Sequence, residues 1–309
     1  MTPIHTIAIV GAGAMGCLFA ARLAAAGHAV TVIDVDDARL AALGGQGITL
    51  ADDDGTRTVP VGAARAAAVA GPVDLVILFT KGMHSAAAIR SVAHLAGPET
   101  LALTLQNGLG NAETIAAVWN PARILIGATD FPADLVGPTH VASHGAGHIW
   151  LGAFAGGGDD AVAAVVAALR AGGLDAVADP DVLVSIWEKV AFNAALNALA
   201  TITGLTVGGM DTPAGRRIAM AVVDETVATA AAEGLTLDRA GIAAKIDHAL
   251  AHHRGHKASM LQDRLAGRAT EIETINGAIV ARAAAAGVPT PVTATLADLV
   301  RLIEAPGIV

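Results

Sequence analysis

Residues 7–16 read IAIVGAGAMG. Four apolar residues run straight into a Gly-x-Gly-x-x-Gly spacing at Gly11, Gly13 and Gly16, and an Ala/Leu-rich helical stretch follows. The pattern predicts a strand over 6–10, a tight turn and a helix over 13–26. Gly11 permits the turn, Gly13 lets the backbone approach a pyrophosphate, and Gly16 lets the helix pack close to the strand. The unbonded N–H groups of the helix start, around Gly13, Ala14, Met15 and Gly16, carry a partial positive charge that suits phosphate. Glycine-rich turns also serve structure alone, but the strand–turn–helix setting favours dinucleotide binding.

Outward from this unit, short apolar runs at 28–33, 73–80, 100–105 and 123–129 alternate with helical stretches such as 85–95. Strands this apolar expect cover on both faces, and the βαβ rhythm implies a parallel sheet. Two further runs, 139–143 and 148–154, read as antiparallel strands finishing that sheet, before a helix over 159–171. Asp179–Pro180 is the strongest boundary signal. Beyond it the pattern is wholly helical, over 182–202, 214–234, 237–253, 260–265, 272–286 and 291–303, with stops at Gly204, Gly234 and Gly287. The expected fold class is α/β: a Rossmann-type dinucleotide-binding domain over 1–179 followed by an all-α substrate and catalytic domain over 180–309.

Composition narrows the functional classes. A chain of 309 residues suits two domains, and 54% hydrophobic residues can bury a substantial core, which excludes disorder. No apolar stretch of membrane-spanning length runs without polar interruption, and the N-terminus lacks a basic region followed by a separate apolar segment. Cys17 is alone and cannot form an internal disulfide. A net charge of −9 without a basic cluster argues against nucleic acid. The expectation is a soluble, cytoplasmic protein with a small-molecule partner, no nucleic acid and no membrane. Ala-rich helical surfaces suit self-association, so a homodimer is expected.

Asp34 ends the second strand, where a carboxylate can accept from the adenosine ribose hydroxyls and repels a 2′-phosphate. No Arg or Lys follows until Arg39. NADH is therefore expected in preference to NADPH, with NADP left open. The alternative is that Asp34 or Asp36 caps the next helix.

A second constellation lies in WEKVAFNAALN, residues 187–197. Lys189, Asn193 and Asn197 fall at i, i+4 and i+8 on one helix face. Such a stripe is either solvated or built to donate hydrogen bonds to an anion and a carbonyl, and asparagine is a poor choice for a merely solvated helix face. Residues 256–280, HKASMLQDRLAGRATEIETINGAIV, carry Ser259, Asp263, Glu271 and Asn276. Glu271 and Glu273 point to roughly opposite faces, so at most one serves a given site; either could instead offset the helix-start charge. Asn107 lies just past a strand end, where open α/β sheets bind ligands, or is a simple Asn-Gly turn. Lys81 ends another strand and could be a surface lysine.

These segments together resemble the ketopantoate reductase (2-dehydropantoate 2-reductase) family over nearly the whole chain. The resemblance rests on GAGAMG, Thr80–Lys81, the QNG at 106–108, WEKVAFNAALN and the SMLQD…GRATEIETING block. It implies reduction of 2-dehydropantoate to pantoate with a nicotinamide cofactor. Lys189 matches the family's general acid and Glu271 the acidic residue that orients the substrate. Asn193, Asn197 and Ser259 match substrate-binding positions, Asn107 a position near nicotinamide and substrate, and Lys81 a cofactor-side lysine. The chain departs from the family pattern at Val35, where typical NADPH-preferring members carry arginine. It also departs at Thr129–Asp130–Phe131–Pro132 and at Val207. The departures keep open an NAD-dependent D-2-hydroxyacid dehydrogenase acting on another 2-oxo acid. A non-catalytic dinucleotide sensor would be expected to have lost Lys189 or Glu271, and a sugar-phosphate dehydrogenase would want more basic residues near the substrate helix. His248, His252 and His256 share helical spacing without an H-E-x-x-H frame, so no metal is expected.

Overall fold

The computed structural model describes residues 3–305; residues 1–2 and 306–309, the outermost positions of the two expected domains, lie outside them. The chain divides into two compact units. One contains Asn111–Val182 and the residues before them through Gln106; the other contains Asn107–Gly110 and the residues from Leu183 onward.

The first unit is a Rossmann-type α/β domain. Its main sheet contains β1 (Thr6–Val10), β2 (Ala29–Ile33), β5 (Gly62–Ala64), β6 (Leu75–Leu78), β7 (Leu101–Thr104), β8 (Ile124–Thr129), β11 (Ile149–Ala153) and β12 (Ala176–Ala178). The strand order is β12-β11-β8-β7-β6-β1-β2-β5, and every neighbouring pair is parallel except β11 with β8. Strands β6, β7 and β8 are buried at every residue, as strands covered on both faces must be. Helices α1 (Ala14–Ala25), α2 (Asp37–Gln46), α3 (Ser85–Ser91), α4 (Asn111–Ala116) and α5 (Asp159–Ala171) complete the unit. The order reverses at β1 and β6, and the Gly-rich loop follows β1 at this switch point, where open α/β sheets bind ligands.

The reading of 139–143 as a strand finishing the main sheet is corrected. This segment is β10 (His140–Ser143), and it belongs to a separate four-stranded sheet with β3 (Ile48–Asp52), β4 (Gly55–Val59) and β9 (Asp134–Leu135). Its alternating burial is that of a sheet with one covered face, unlike the continuously buried strands of the main sheet. Helix α1 contacts all four of these strands as well as β1 and β2, which explains why Gly16–Ala21 and Leu23 are buried nearly all round it.

The second unit is helical, with α6 (Val182–Thr203), α7 (Pro213–Ala232), α8 (Arg239–His252), α9 (Ser259–Leu265), α10 (Ala278–Ala286) and α11 (Pro291–Glu304). Helix α6 is long and apolar enough by length and composition to cross a bilayer, but most of that window is buried inside the molecule, as in a core helix. Ala191, Ala194, Ala195, Ala198 and Ala200 let neighbouring elements approach closely around it. The predicted single helix over 272–286 is corrected as well. A π-turn over Glu273–Gly277 precedes α10, closed by Gly277 N–H donating to Ile272 O at 2.8 Å.

Candidate active site

In the first unit, the three loop glycines separate by what a side chain would meet. A Cβ at Gly16 would lie 1.9 Å from Gly11 O, so only glycine lets α1 seat against the strand end. Gly11 has φ +108° and its Cβ would lie 2.8 Å from Thr80 N. At Gly13 a Cβ would meet nothing within 4 Å, and the residue is exposed. The backbone there is open to a ligand, and Ala14 and Met15 in the first turn of α1 are half-buried beside it. Gly13 caps α1 without a side-chain hydrogen bond, leaving the first N–H groups of the helix to other acceptors.

Asp34 does not cap the next helix. Asp36 does, accepting from Arg39 N at 3.0 Å. Asp34 Oδ2 accepts from Ala12 N at 2.6 Å, and Oδ1 accepts from Val35 N at 2.7 Å and Asp36 N at 3.1 Å. The carboxylate is thereby fixed beside the Gly-rich loop. Three donors leave part of its acceptor capacity for a ribose hydroxyl. Residue 35 is an exposed valine, so that position supplies no cation. The structure adds one that sequence spacing did not place: Arg39 Nη1 donates to Ala12 O at 2.8 Å, on the same loop.

Cys17 is fully buried, and burial pushes its thiol up to about 11, with Asp34 adding to the rise and Arg39 opposing it. Near pH 8 about 0.1% of such a thiol is thiolate. Native protein is expected to resist iodoacetamide over a time in which urea-unfolded protein is fully alkylated; equal rates in the two states would contradict the burial of this thiol.

Lys81 is half-buried and directly precedes a short 3-10 turn, Gly82–His84. The strand ends around it are tied together by Gln106, a residue that sequence reasoning passed over. Gln106 Nε2 donates to Thr80 O at 2.5 Å and to Ser85 Oγ at 2.7 Å, and Oε1 accepts from Thr104 Oγ1 at 2.9 Å. Its place at the end of β7, in QNG, was the only available signal.

In the second unit, adjacent side chains of α6 separate by role. Trp187 is buried in the helical core with the Arg282 guanidinium 6.0 Å from its ring centre. Glu188 accepts from Asp238 N at 3.1 Å and from Lys245 Nζ at 3.3 Å, anchoring the start of α8. Lys189 and Asn193 are half-buried on the next face, and Asn197 is buried.

Asn107, within the expected 1–179 domain by sequence, packs instead with the helical unit. Its Nδ2 donates to Glu271 Oε2 at 3.4 Å. Leu109 N–H donates to Thr274 O at 2.8 Å, and a Cβ at Gly108 would lie 2.2 Å from that same carbonyl oxygen. The segment is therefore stitched to the chain around the π-turn, and Gly108, at φ +88°, permits the approach. Glu273 faces elsewhere, paired with Arg301 at 2.6 Å, so Glu271 alone of the two glutamates joins Asn107. Ser259 is the first residue of α9 and is exposed. His248 and His252 stack at 4.3 Å between ring centres. Among the described residues no group of three or more metal-ligating side chains gathers.

One unit thus offers an anion-receptive loop with a fixed carboxylate beside it. The other carries Lys189, Asn193 and Asn197 on α6 and joins Asn107 to Glu271. Residues 7–156 match the family described as ketopantoate reductase PanE/ApbA, and residues 181–304 match the C-terminal part of that family. A 2-dehydropantoate 2-reductase of Halobacterium salinarum is 32% identical over 303 residues, covering 97% of this chain and 99% of its own. Among solved structures, the ternary complex of D-mandelate dehydrogenase with NADH and anilino(oxo)acetate matches with a TM-score of 0.92 and 30% identity, covering 97% of this chain and 98% of its own. The 2-dehydropantoate 2-reductase of Geobacter metallireducens matches with a TM-score of 0.89 and 29% identity, covering 96% and 99%.

Proposed function

The chain belongs to the PanE/ApbA ketopantoate reductase family, and from that premise we propose that it reduces 2-dehydropantoate to pantoate, with NADH preferred. The observation that carries the reading is the Asn107–Glu271 pair in the same unit as the Lys189 helix, within a chain matched by the family at both ends. The first unit serves as the dinucleotide-binding domain and the second as the substrate and catalytic domain.

The residues fit a dinucleotide. Gly11, Gly13, Ala14, Met15 and Gly16 would cradle the pyrophosphate, since the loop is open at Gly13 and α1 leaves its first N–H groups available. Asp34 would hold the adenosine ribose, and Lys81 the remainder. When bound, the cofactor supplies the hydride. Lys189 Nζ would face the substrate's C2 oxygen, stabilise the charge that develops there and deliver the proton. Glu271, steadied by Asn107, orients the substrate. Asn193, Asn197 and Ser259 donate to its carboxylate and hydroxyl without adding a further full charge.

The NADH preference rests on the fixed Asp34 carboxylate and on exposed Val35. The kcat/KM with NADH is expected to exceed that with NADPH by ~10-fold or more, and Asp34→Asn to narrow the ratio. Arg39, close to the same loop, tempers the discrimination rather than reversing it. Equal or better use of NADPH by the unaltered protein would overturn this assignment.

A second reading, a D-2-hydroxyacid dehydrogenase acting on another 2-oxo acid, is favoured by the match to D-mandelate dehydrogenase with NADH. Phe131, half-buried and tight against Gly147 beyond the end of β8, is the first place to look for a changed side-chain preference. Comparing kcat/KM for 2-dehydropantoate and benzoylformate decides: the proposal expects the former to be larger by ~10-fold or more, and the reverse order selects the second reading. The protein is expected to act in the cytoplasm as a homodimer; exposed Leu299 and Leu302 on α11 offer apolar surface for pairing.

A further inference from the structure

The π-turn over Glu273–Gly277 is the one departure from regular helix in the segment that follows Glu271, and Asn276 lies within it, fully buried. Single π-turns recur where a side chain must be aimed out of ordinary helical register. Asn276 Nδ2 donates to Ala194 O at 3.1 Å, across to α6. Ala194 directly follows Asn193 and faces the buried side of the helix that carries the Lys189 stripe. The bond is therefore a direct strut between the segment carrying Glu271 and the helix carrying Lys189.

Two buried polar atoms accompany this strut without a partner, Asn276 Oδ1 and Asn197 Nδ2. One is an acceptor and the other a donor, and Asn197 lies one turn beyond Ala194 on the same helix. Orphaned buried polar groups are costly, and an apolar side chain at 276 would avoid that cost within a core of Ile272, Ile275 and Ile279. What the apolar side chain could not supply is the directional bond to Ala194 O. A hydrogen bond fixes rotation and translation of α6 where apolar packing alone allows slippage.

We propose that Asn276 is a positioning residue: through Ala194 O it sets the pitch of α6, and with it the aim of Lys189 and Asn193 toward the substrate held by Glu271. The role in turnover rests on the reductase reading; the role in ordering α6 does not.

Two substitutions and two readouts test it. Asn276→Leu removes the donor and keeps an apolar volume. Its kcat with 2-dehydropantoate is expected to fall by ~10-fold or more, because small misplacements of reacting groups are expensive, while NADH affinity, measured by fluorescence titration, stays within ~2-fold. Asn276→Asp presents an acceptor to the Ala194 carbonyl when ionised and a donor when protonated, and burial favours the protonated form. Its kcat, as a ratio to the unaltered protein at each pH, is expected to rise by ~5-fold or more from about pH 8 to about pH 5.5. A kcat for Asn276→Leu within ~2-fold of the unaltered protein overturns the proposal, and so does a flat Asn276→Asp ratio. If Asn276→Leu does not fold, the Asn276→Asp ratio decides alone. If the unaltered protein reduces no 2-oxo acid, the reductase reading has failed, and hydrogen exchange decides. Faster exchange at the amides of residues 194–200 in either variant then supports the strut, and unchanged exchange overturns it.

Discussion

Replacing Lys189 with alanine is expected to lower kcat by ~10²-fold or more, a barrier increase of roughly 3 kcal/mol, while leaving NADH binding intact. Reduction of a 2-oxo acid places negative charge on the C2 oxygen as the hydride arrives, and that oxygen must then receive a proton. A lysine on α6, half-buried, can do both. The loss should appear in kcat and kcat/KM together, because the interaction is made chiefly in the transition state. The dinucleotide loop belongs to the other unit, so its affinity for cofactor should not follow. Lys189→Arg separates the two tasks: it retains the charge but cannot give up a proton, so it should recover little of the rate. Steady-state kinetics with parallel cofactor titration checks this. A near-normal kcat for Lys189→Ala would remove the residue from the mechanism.

The second large effect is on stability. Asp52, its side chain only 1% exposed, is held between Arg22 Nη2 at 2.7 Å and Arg57 Nη2 at 2.9 Å. The clamp joins β3 and β4 of the small sheet to α1, the helix that begins at the dinucleotide loop. Asp52→Ala leaves the largely buried Arg22 charge without its close partner and should cost about 3–5 kcal/mol at neutral pH. The cost depends on pH with a definite sign. Burial of Asp52 acts to raise its pKa, but the Arg57 hydrogen bond and the charges of Arg22 and Arg57 outweigh it and hold the carboxyl below its ordinary 3.8. A carboxylate depressed in the folded state contributes stability above its unfolded pKa and loses it as pH falls through the folded value. The gap between the unaltered protein and Asp52→Ala should therefore be full at pH 7 and shrink below about pH 4. Urea denaturation at the two pH values measures it, and a neutral-pH gap under ~1 kcal/mol would mean the clamp is no stronger than a surface pair.

Much of this architecture is legible in the sequence. The strand–loop–helix start could be read because its three glycines have distinct steric jobs at fixed spacing. The helices of the second unit could be read because alanine-rich runs end at Gly204, Gly234 and Gly287. The small sheet could not be assembled: β3 pairs with β10 some ninety residues later, and nothing local in either strand names its partner. The hairpin of β3 and β4 did carry a signal that could have found it: the Asp53–Asp54 turn runs into Gly55, the first residue of β4.

The site divides in the same way. Lys189, Asn193 and Asn197 share a face by spacing alone, because a helix imposes its own geometry on nearby residues. Asn107 and Glu271 lie 164 residues apart, and their pairing depends on Gly108 passing close beneath the Thr274 carbonyl. The spacing of an Asn-Gly turn cannot distinguish that contact from a plain surface turn, and only the family resemblance pointed to both residues. Arg39 was visible as a charge but not as a neighbour of Ala12. Asn276 was visible as a residue in a helix, whereas the π-turn that carries it depends on a bond to Ile272 that no local propensity encodes.

The most direct test of the central claim is the steady-state rate of NADH oxidation by the purified protein with 2-dehydropantoate, measured beside Lys189→Ala. Saturable, stoichiometric formation of pantoate is expected of the unaltered protein, with a rate lower by ~10²-fold or more for the variant. NADH oxidation that is absent with 2-dehydropantoate and with benzoylformate alike, or equal in the two proteins, would contradict it.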